Sequence, residues 1–319
     1  MNAEPGRNAI IRTVNGKEGK PNGDRHMKRA FLFIVTNIAV MLTLGIVANI
    51  LCALLGTSLD ELIGPEHSQL AIFAFVYGMA GSIVSLLLSK TMAKLMCRAK
   101  TIDGSEGEAE RWLVATVEDL ARRANIKTPE VAIYPGQANA FATGAFKNSA
   151  LVAVSTDIMR QMTKEELRAV LGHEMSHVAN GDMVTMSLMQ GVLNAFVIFF
   201  SRLLASIVAS GGRGESRRRG GALYYPLVMV FDICLGLLAS MIVMAYSRRR
   251  EYAADAGSAH LLGSPLPMIA ALRRLGSLQP GVLPDSLKAF GIAEGRKTSL
   301  FATHPSLDDR IAALERLTP

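Results

Sequence analysis

The chain has 319 residues, half of them hydrophobic (50%), and a mean hydropathy of +0.28, which is too apolar for an ordinary soluble domain and points to a membrane protein. Its net charge is +7, yet aromatic residues make up only 6% and no basic stretch is interleaved with them, which argues against nucleic acid as a partner. In a membrane protein such an excess of Lys and Arg marks the cytoplasmic flanks of spans.

Taken in order, residues 1–26 are polar, with Gly, Pro and mixed charge, and are expected to form a disordered extension. Met27-Lys28-Arg29 has the look of a natural start. An apolar run at 30–55 is long enough to span roughly 30 Å of hydrocarbon. It follows two positive charges and lacks a small-x-small cleavage pattern, so it reads as an uncleaved anchor. Asp60, Glu61 and Glu66 make the next loop acidic, 70–89 is a second span, and Lys90, Lys94, Arg98 and Lys100 follow it. Positive-inside logic places the N-terminus and the segment after Lys90 in the cytoplasm. Residues 27–97 are thus expected to be two transmembrane helices joined by an acidic non-cytoplasmic loop.

Residues 98–183 read as a first block of a soluble core. A polar linker at 102–107 leads to a helix at 111–124, with Leu113, Val117 and Leu120 at helical spacing. Val131-Ala132-Ile133-Tyr134 is a short strand between Pro129 and Pro135, and 150–154 is a second candidate. Thr163 and Glu166 form a capping box that announces a helix continued by Leu167, Val170, Leu171 and Val178. Two further apolar runs, 184–209 and 222–246, flank a loop at 211–221 that carries four arginines. A full double crossing would put those arginines outside, against the usual rule, so it stays open whether this hairpin crosses or only dips in. Arg202 and Asp232 lie at similar depth in the two runs and are expected to pair across the hairpin, with snorkelling of Arg202 as the alternative. Residues 247–319 form a second, helix-rich part of the core.

The capped helix contains His173-Glu174-Met175-Ser176-His177, an H-E-x-x-H pattern. Histidines four apart leave one helix face a turn apart, so both can reach one zinc ion, while Glu174 can stand beside it as general base. A catalytic zinc needs three protein ligands and one open position. Cys52, Cys97 and Cys234 have no C-x-x-C spacing and read as buried apolar side chains, so the site must be built from His and carboxylate. His26 and His67 are poorly placed. Glu251 directly follows the fourth apolar run, and Asp255 shares its helix face. Glu251 is the better third-ligand candidate, and of these two carboxylates one can bind zinc while the other accepts a hydrogen bond from a ligand histidine.

With these residues in place, the chain resembles the HtpX-type membrane zinc metalloproteases, bacterial heat-shock quality-control proteases that share their core with the CAAX prenyl proteases. The resemblance rests on L-G-H-E-M-S-H at Leu171 to His177, N-A-F-A-T-G at Asn139 to Gly144, S-R-R-R-E-Y-A-A-D-A at Ser247 to Ala256 and T-H-P-S-L-D-D-R-I at Thr303 to Ile311. It covers everything from Met27 onward. The fold it implies, with the spans counted above, is mainly α: an integral membrane protein with up to four transmembrane helices and a cytoplasmic metalloprotease core of helices plus a small β-sheet. It implies one zinc per chain held by His173, His177 and Glu251, Glu174 as base, and Asp255 orienting a ligand histidine. It further implies that His304 and Asn139 stabilise the tetrahedral intermediate.

On this reading the chain is a multi-pass zinc metalloendopeptidase of the bacterial inner membrane with its site facing the cytoplasm. Its substrates are unfolded or damaged membrane proteins, and self-cleavage stays open. Asn139, Ala140, Phe141, Ala142, Thr143 and Gly144 are expected to border the cleft as an edge strand to which an extended peptide adds. Two alternatives are a prenyl-protein processing protease and a non-catalytic, zinc-stabilised scaffold. An intact Glu174 argues against the scaffold, because a structural site needs no base.

Overall fold

Helix α1 (Pro65–Cys97) opens the part of the chain that the computed structural model describes, residues 65–210, 217–278 and 304–317. The extension at 1–26, the apolar run at 30–55, Asp60 and Glu61 of the acidic loop, and residues 211–216 of the arginine loop lie outside the described residues. Helix α1 carries the second expected span and continues two turns past Lys90. There Lys90 and Lys94 each bring Nζ to 2.6 Å from the Glu130 carboxylate, tying the helix to the sheet.

Strand β1 (Lys100–Ile102) lies between the basic flank of the second expected span and the linker expected at 102–107, where the sequence suggests no strand. Three residues are too few to show an alternation, and the strand exists through its antiparallel pairing with β2 (Glu130–Tyr134). Between them α2 (Glu108–Arg123) buries Leu113, Val117 and Leu120. Strands β3 (Ala140–Thr143) and β4 (Leu151–Ser155) complete the order β1-β2-β4-β3, with β2 and β4 parallel and β3 antiparallel to β4. The edge strand β3 splits its side chains by period two. Ala140 and Ala142 join Val152 and Val154 in the main core, whereas Phe141 turns to the other face, beside Tyr134 and the Ala93 and Cys97 end of α1.

A short helix α3 (Thr156–Gln161) leads to α4 (Lys164–Asn180), whose capping box forms as the sequence predicts. Leu167, Val170, Leu171, Met175 and Val178 bury α4 in the centre of the core. Gly181, at φ +71°, ends it in a left-handed cap that a side chain would strain, and Asp182 at once begins α5 (Asp182–Ser210). Helix α6 (Arg217–Leu262) makes the fourth apolar run and the Glu251 segment one continuous rod. Helices α7 (Leu266–Ser277) and α8 (Leu307–Glu315) close the core. Residues Gln69–Pro319 form one compact unit.

Among the described residues three helices are long and apolar enough to cross a membrane: Leu70–Cys97, Asp182–Ala209 and Leu223–Leu262. The last, at 40 residues, is about twice the length that roughly 30 Å of hydrocarbon needs, so only part of it lies at membrane depth. Arg202 and Asp232 do meet across the α5–α6 hairpin, with Nη1 and Oδ1 3.8 Å apart, and Arg202 also donates to the Ile198 carbonyl at 3.0 Å.

Candidate metal and catalytic site

Two glycines bring α4 and α6 together. A Cβ on Gly172 would lie 2.8 Å from Ser258 Oγ and 2.9 Å from Leu262 Cδ1, and one on Gly257 would lie 2.5 Å from Ser176 Oγ. Neither position has room for a side chain. Ser258 Oγ also donates to the Ala169 carbonyl at 2.7 Å, so the crossing is bonded as well as close.

This crossing sets His173 and His177 of α4 against Glu251 of α6. The two Nε2 atoms are 3.0 Å apart, Glu251 Oε2 lies 3.4 Å from His173 Nε2, and Oε1 lies 3.3 Å from His177 Nε2. One atom from each of the three residues falls within 4.8 Å of the others, and all three residues are buried. Both Glu251 oxygens lack an aligned hydrogen-bond partner although the residue is fully buried, which is costly unless something else satisfies them. Behind the histidines stand two carboxylates. His173 Nδ1 is 2.9 Å from Asp255 Oδ1, and His177 Nδ1 is 2.6 Å from Asp182 Oδ2. An ionised carboxylate only accepts, so each Nδ1 carries the proton and each Nε2 turns its lone pair forward. Two imidazoles and one carboxylate converging in this way fit a single metal ion.

Burial would keep His173 neutral. The facing Asp255 and Glu251 outweigh it and raise its pKa above the ordinary histidine value. Glu174 is buried beside the cluster, with neither carboxylate oxygen in an aligned hydrogen bond. Burial pushes its pKa up to about 8, and nearby Glu251 adds to this. His177, the Ala142 amide on the free edge of β3 and Arg250 pull the other way.

His304 brings Nδ1 to 2.9 Å from Glu251 Oε2, close in distance but out of hydrogen-bond alignment. Asn139 is buried at the entrance to β3, where its amide donates to Ser155 Oγ and its Oδ1 accepts from the Ala140 amide, both at 2.9 Å. These contacts anchor the strand and are not to the metal cluster. Of the 139–144 stretch, Ala142 is the residue whose amide acts on Glu174.

Three neighbours escape a reading of the sequence. Asp182 orients His177 from the first residue of α5. Arg310 of α8 is fully buried against Asp255. Arg250 is nearly buried, with Nη2 3.7 Å from Glu251 Oε1. No sequence pattern singles out Asp182, and Arg310 lies in a recognised stretch without a role attached to it.

Comparison with known proteins gives the family. The model of peptidase family M48 matches residues 108–318. A protein from Verminephrobacter eiseniae named Protease HtpX homolog is 51% identical over 296 residues, 91% of this chain and 98% of the relative. One of the same name from Janthinobacterium is 50% identical, over 91% of this chain and all of the relative. The crystal structure of S. mikatae Ste24p shares the fold at a TM-score of 0.50 and 18% identity, covering 96% of this chain and 78% of that one.

Proposed function

The chain belongs to peptidase family M48, and we propose that it is a zinc endopeptidase of the bacterial inner membrane. It is a multi-pass membrane protein and a metallopeptidase acting on protein substrates. The finer reading is that it cleaves misfolded or damaged membrane proteins, itself among its targets, at a site facing the cytoplasm.

His173, His177 and Glu251 hold the ion in this reading, and Asp255 and Asp182 keep both imidazoles in the binding tautomer. Zinc matches this donor set, and when bound it supplies a lowered water pKa and a polarised carbonyl. Glu174 takes the proton from the attacking water. The same carboxyl then hands that proton to the leaving amine. His304, close beside Glu251, and Asn139 are assigned to the charge that develops on the former carbonyl oxygen. An extended substrate adds to β3 through main-chain hydrogen bonds, with Asn139 to Gly144 lining it. Such binding reads backbone extension more than side chains and suits unfolded segments. The basic residues at the end of α1 and just beyond it (Lys90, Lys94, Arg98 and Lys100) and the arginines at 248–250 support a cytoplasmic site.

The observation that carries the proposal is the buried convergence of His173, His177 and Glu251 beside a buried Glu174 whose carboxylate makes no aligned hydrogen bond. The test is cleavage of an unfolded membrane protein by the full chain in detergent, with and without Glu174→Gln. The wild type should cut it and the variant should not, while both keep their zinc. Equal cleavage by both would remove the mechanism. Cleavage confined to a prenylated C-terminal peptide would shift the assignment to prenyl-protein processing. Loss of zinc binding in neither Glu251→Ala nor His173→Ala would leave no catalytic centre.

A further inference from the structure

Arg310 is the largest fully buried side chain among the described residues, and its surroundings are unusually specific. Its Nε donates to Asp255 Oδ2 at 2.8 Å and its Nη2 donates to Asp255 Oδ1 at 2.7 Å. This is the two-armed guanidinium–carboxylate geometry, which fixes orientation as well as charge. The third nitrogen, Nη1, lies 3.6 Å from Glu251 Oε2.

We propose that Arg310 is a positioning residue for the metal centre: by gripping both oxygens of Asp255 it fixes the carboxylate that aims His173, so that the docking of α8 completes the site. This rests on the reading of His173, His177 and Glu251 as the ligand set.

Three features carry the inference. First, Asp255 Oδ1 is shared between Arg310 and His173 Nδ1. With Oδ2 also held, the carboxylate cannot rotate away from the imidazole. Second, Arg310 Nη2 lies 3.4 Å from His173 Nδ1. Both atoms carry protons when Asp255 is ionised, so this approach gains nothing by itself and follows from the grip on Asp255. Third, the two ligand histidines are supported differently. Asp182 reaches His177 from five residues away, across a tight turn, and its placement is local. Asp255 reaches His173 from another helix, 82 residues along the chain, so its register needs fixing from outside.

A packing role alone would not require this residue. Helix α8 has its own apolar anchor in buried Leu314 and its own cap, in which Ser306 Oγ accepts from the Asp309 amide. A methionine of similar length would serve packing without a buried charge. A lysine would keep the charge and lose the fork.

The test measures zinc affinity of the full chain in detergent by chelator competition, with thermal melting of the metal-free protein alongside. Arg310→Met and Asp255→Asn should each weaken zinc binding by about 10- to 100-fold, the usual cost of losing a partner behind a ligand. The double variant should be no weaker than Asp255→Asn, because both act through one carboxylate. Asp182→Asn combined with Arg310→Met should multiply, because they serve different histidines. The visible spectrum of the cobalt-loaded protein should change in Arg310→Met and in Arg310→Lys, which reads ligand geometry directly and covers the case where the methionine variant does not fold. Wild-type zinc affinity in Arg310→Lys together with an unchanged cobalt spectrum would overturn the proposal, as would losses at 310 and 255 that multiply. His173→Ala separates the two levels. If it keeps zinc, the ligand reading itself is wrong. If it loses zinc while the position-310 variants do not, Arg310 alone is misassigned.

Discussion

Substituting Gly257 by alanine tests whether the close crossing of α4 and α6 is what assembles the metal site. The new Cβ would stand 2.5 Å from Ser176 Oγ and 2.8 Å from Ser176 Cβ. Ordinary contacts of this kind lie about 1 Å further out, so the helices must separate by roughly that amount. Ser176 cannot simply turn aside, because its hydroxyl donates to the Gly172 carbonyl at 2.7 Å. Metal–ligand distances tolerate only about 0.2 Å, so a shift near 1 Å withdraws Glu251 from the two histidines. Overpacking of this size costs about 1–3 kcal/mol. Expressed wholly at the site, that is a loss of zinc affinity of about 5- to 150-fold. Adding Ser176→Gly removes both clashing atoms. The double variant should regain wild-type zinc affinity by chelator competition, yet melt lower, since a mid-helix glycine costs about 1 kcal/mol. Unchanged affinity in Gly257→Ala, or no recovery in the double variant, would refute the idea that this crossing sets the ligand geometry.

Further outcomes follow from the same geometry. The pKa of His173 is raised, so a proton competes with the metal at this nitrogen, and zinc affinity should fall as pH drops through neutrality. Calorimetry in buffers of different ionisation enthalpy should show proton release near pH 7 that shrinks in Asp255→Asn, and no release in either protein would contradict the assignment. Glu174 is raised from 4.5 to about 8, so the folded metal-free protein binds this proton more tightly than the unfolded chain. Its destabilising effect is absent below about pH 4.5, grows as pH rises and levels off above about pH 8, with a ceiling on the order of 5 kcal/mol. Metal-free Glu174→Gln should therefore melt above wild type at about pH 9 and level with it near pH 4.5; a gap that does not change with pH counts against it. Arg202 and Asp232 are partly exposed, so a double-mutant cycle on thermal stability in detergent should give a coupling of about 1 kcal/mol or less. Proteolysis should be unchanged, and purely additive stability losses would remove the pair.

The parts of the site that follow local rules are legible in the sequence. Histidines four apart, a capping box at Thr163 and Glu166, and two carboxylates four apart at 251 and 255 each state their geometry through helical periodicity. The edge position of β3 was inferred from one short motif and is met in the sheet order. What was not legible depends on tertiary approach. Gly172 and Gly257 look like poor helix residues until the crossing shows why neither admits a side chain. Arg310 and Asp255 are 55 residues apart, and no spacing rule joins them. Strand β1 went unseen because three residues acquire strand character only from their partner. The charge pair at 202 and 232 is legible, because folding a hairpin is simple arithmetic.

The central claim is that His173, His177 and Glu251 bind one zinc ion while Glu174, next in sequence to a ligand, does not. Zinc stoichiometry of the purified full-length chain, measured for each residue changed singly, tests it most directly. The account predicts about one zinc per chain in wild type and Glu174→Gln, and close to none in His173→Ala, His177→Ala and Glu251→Ala. Zinc retained by Glu251→Ala, or lost from Glu174→Gln, would contradict it.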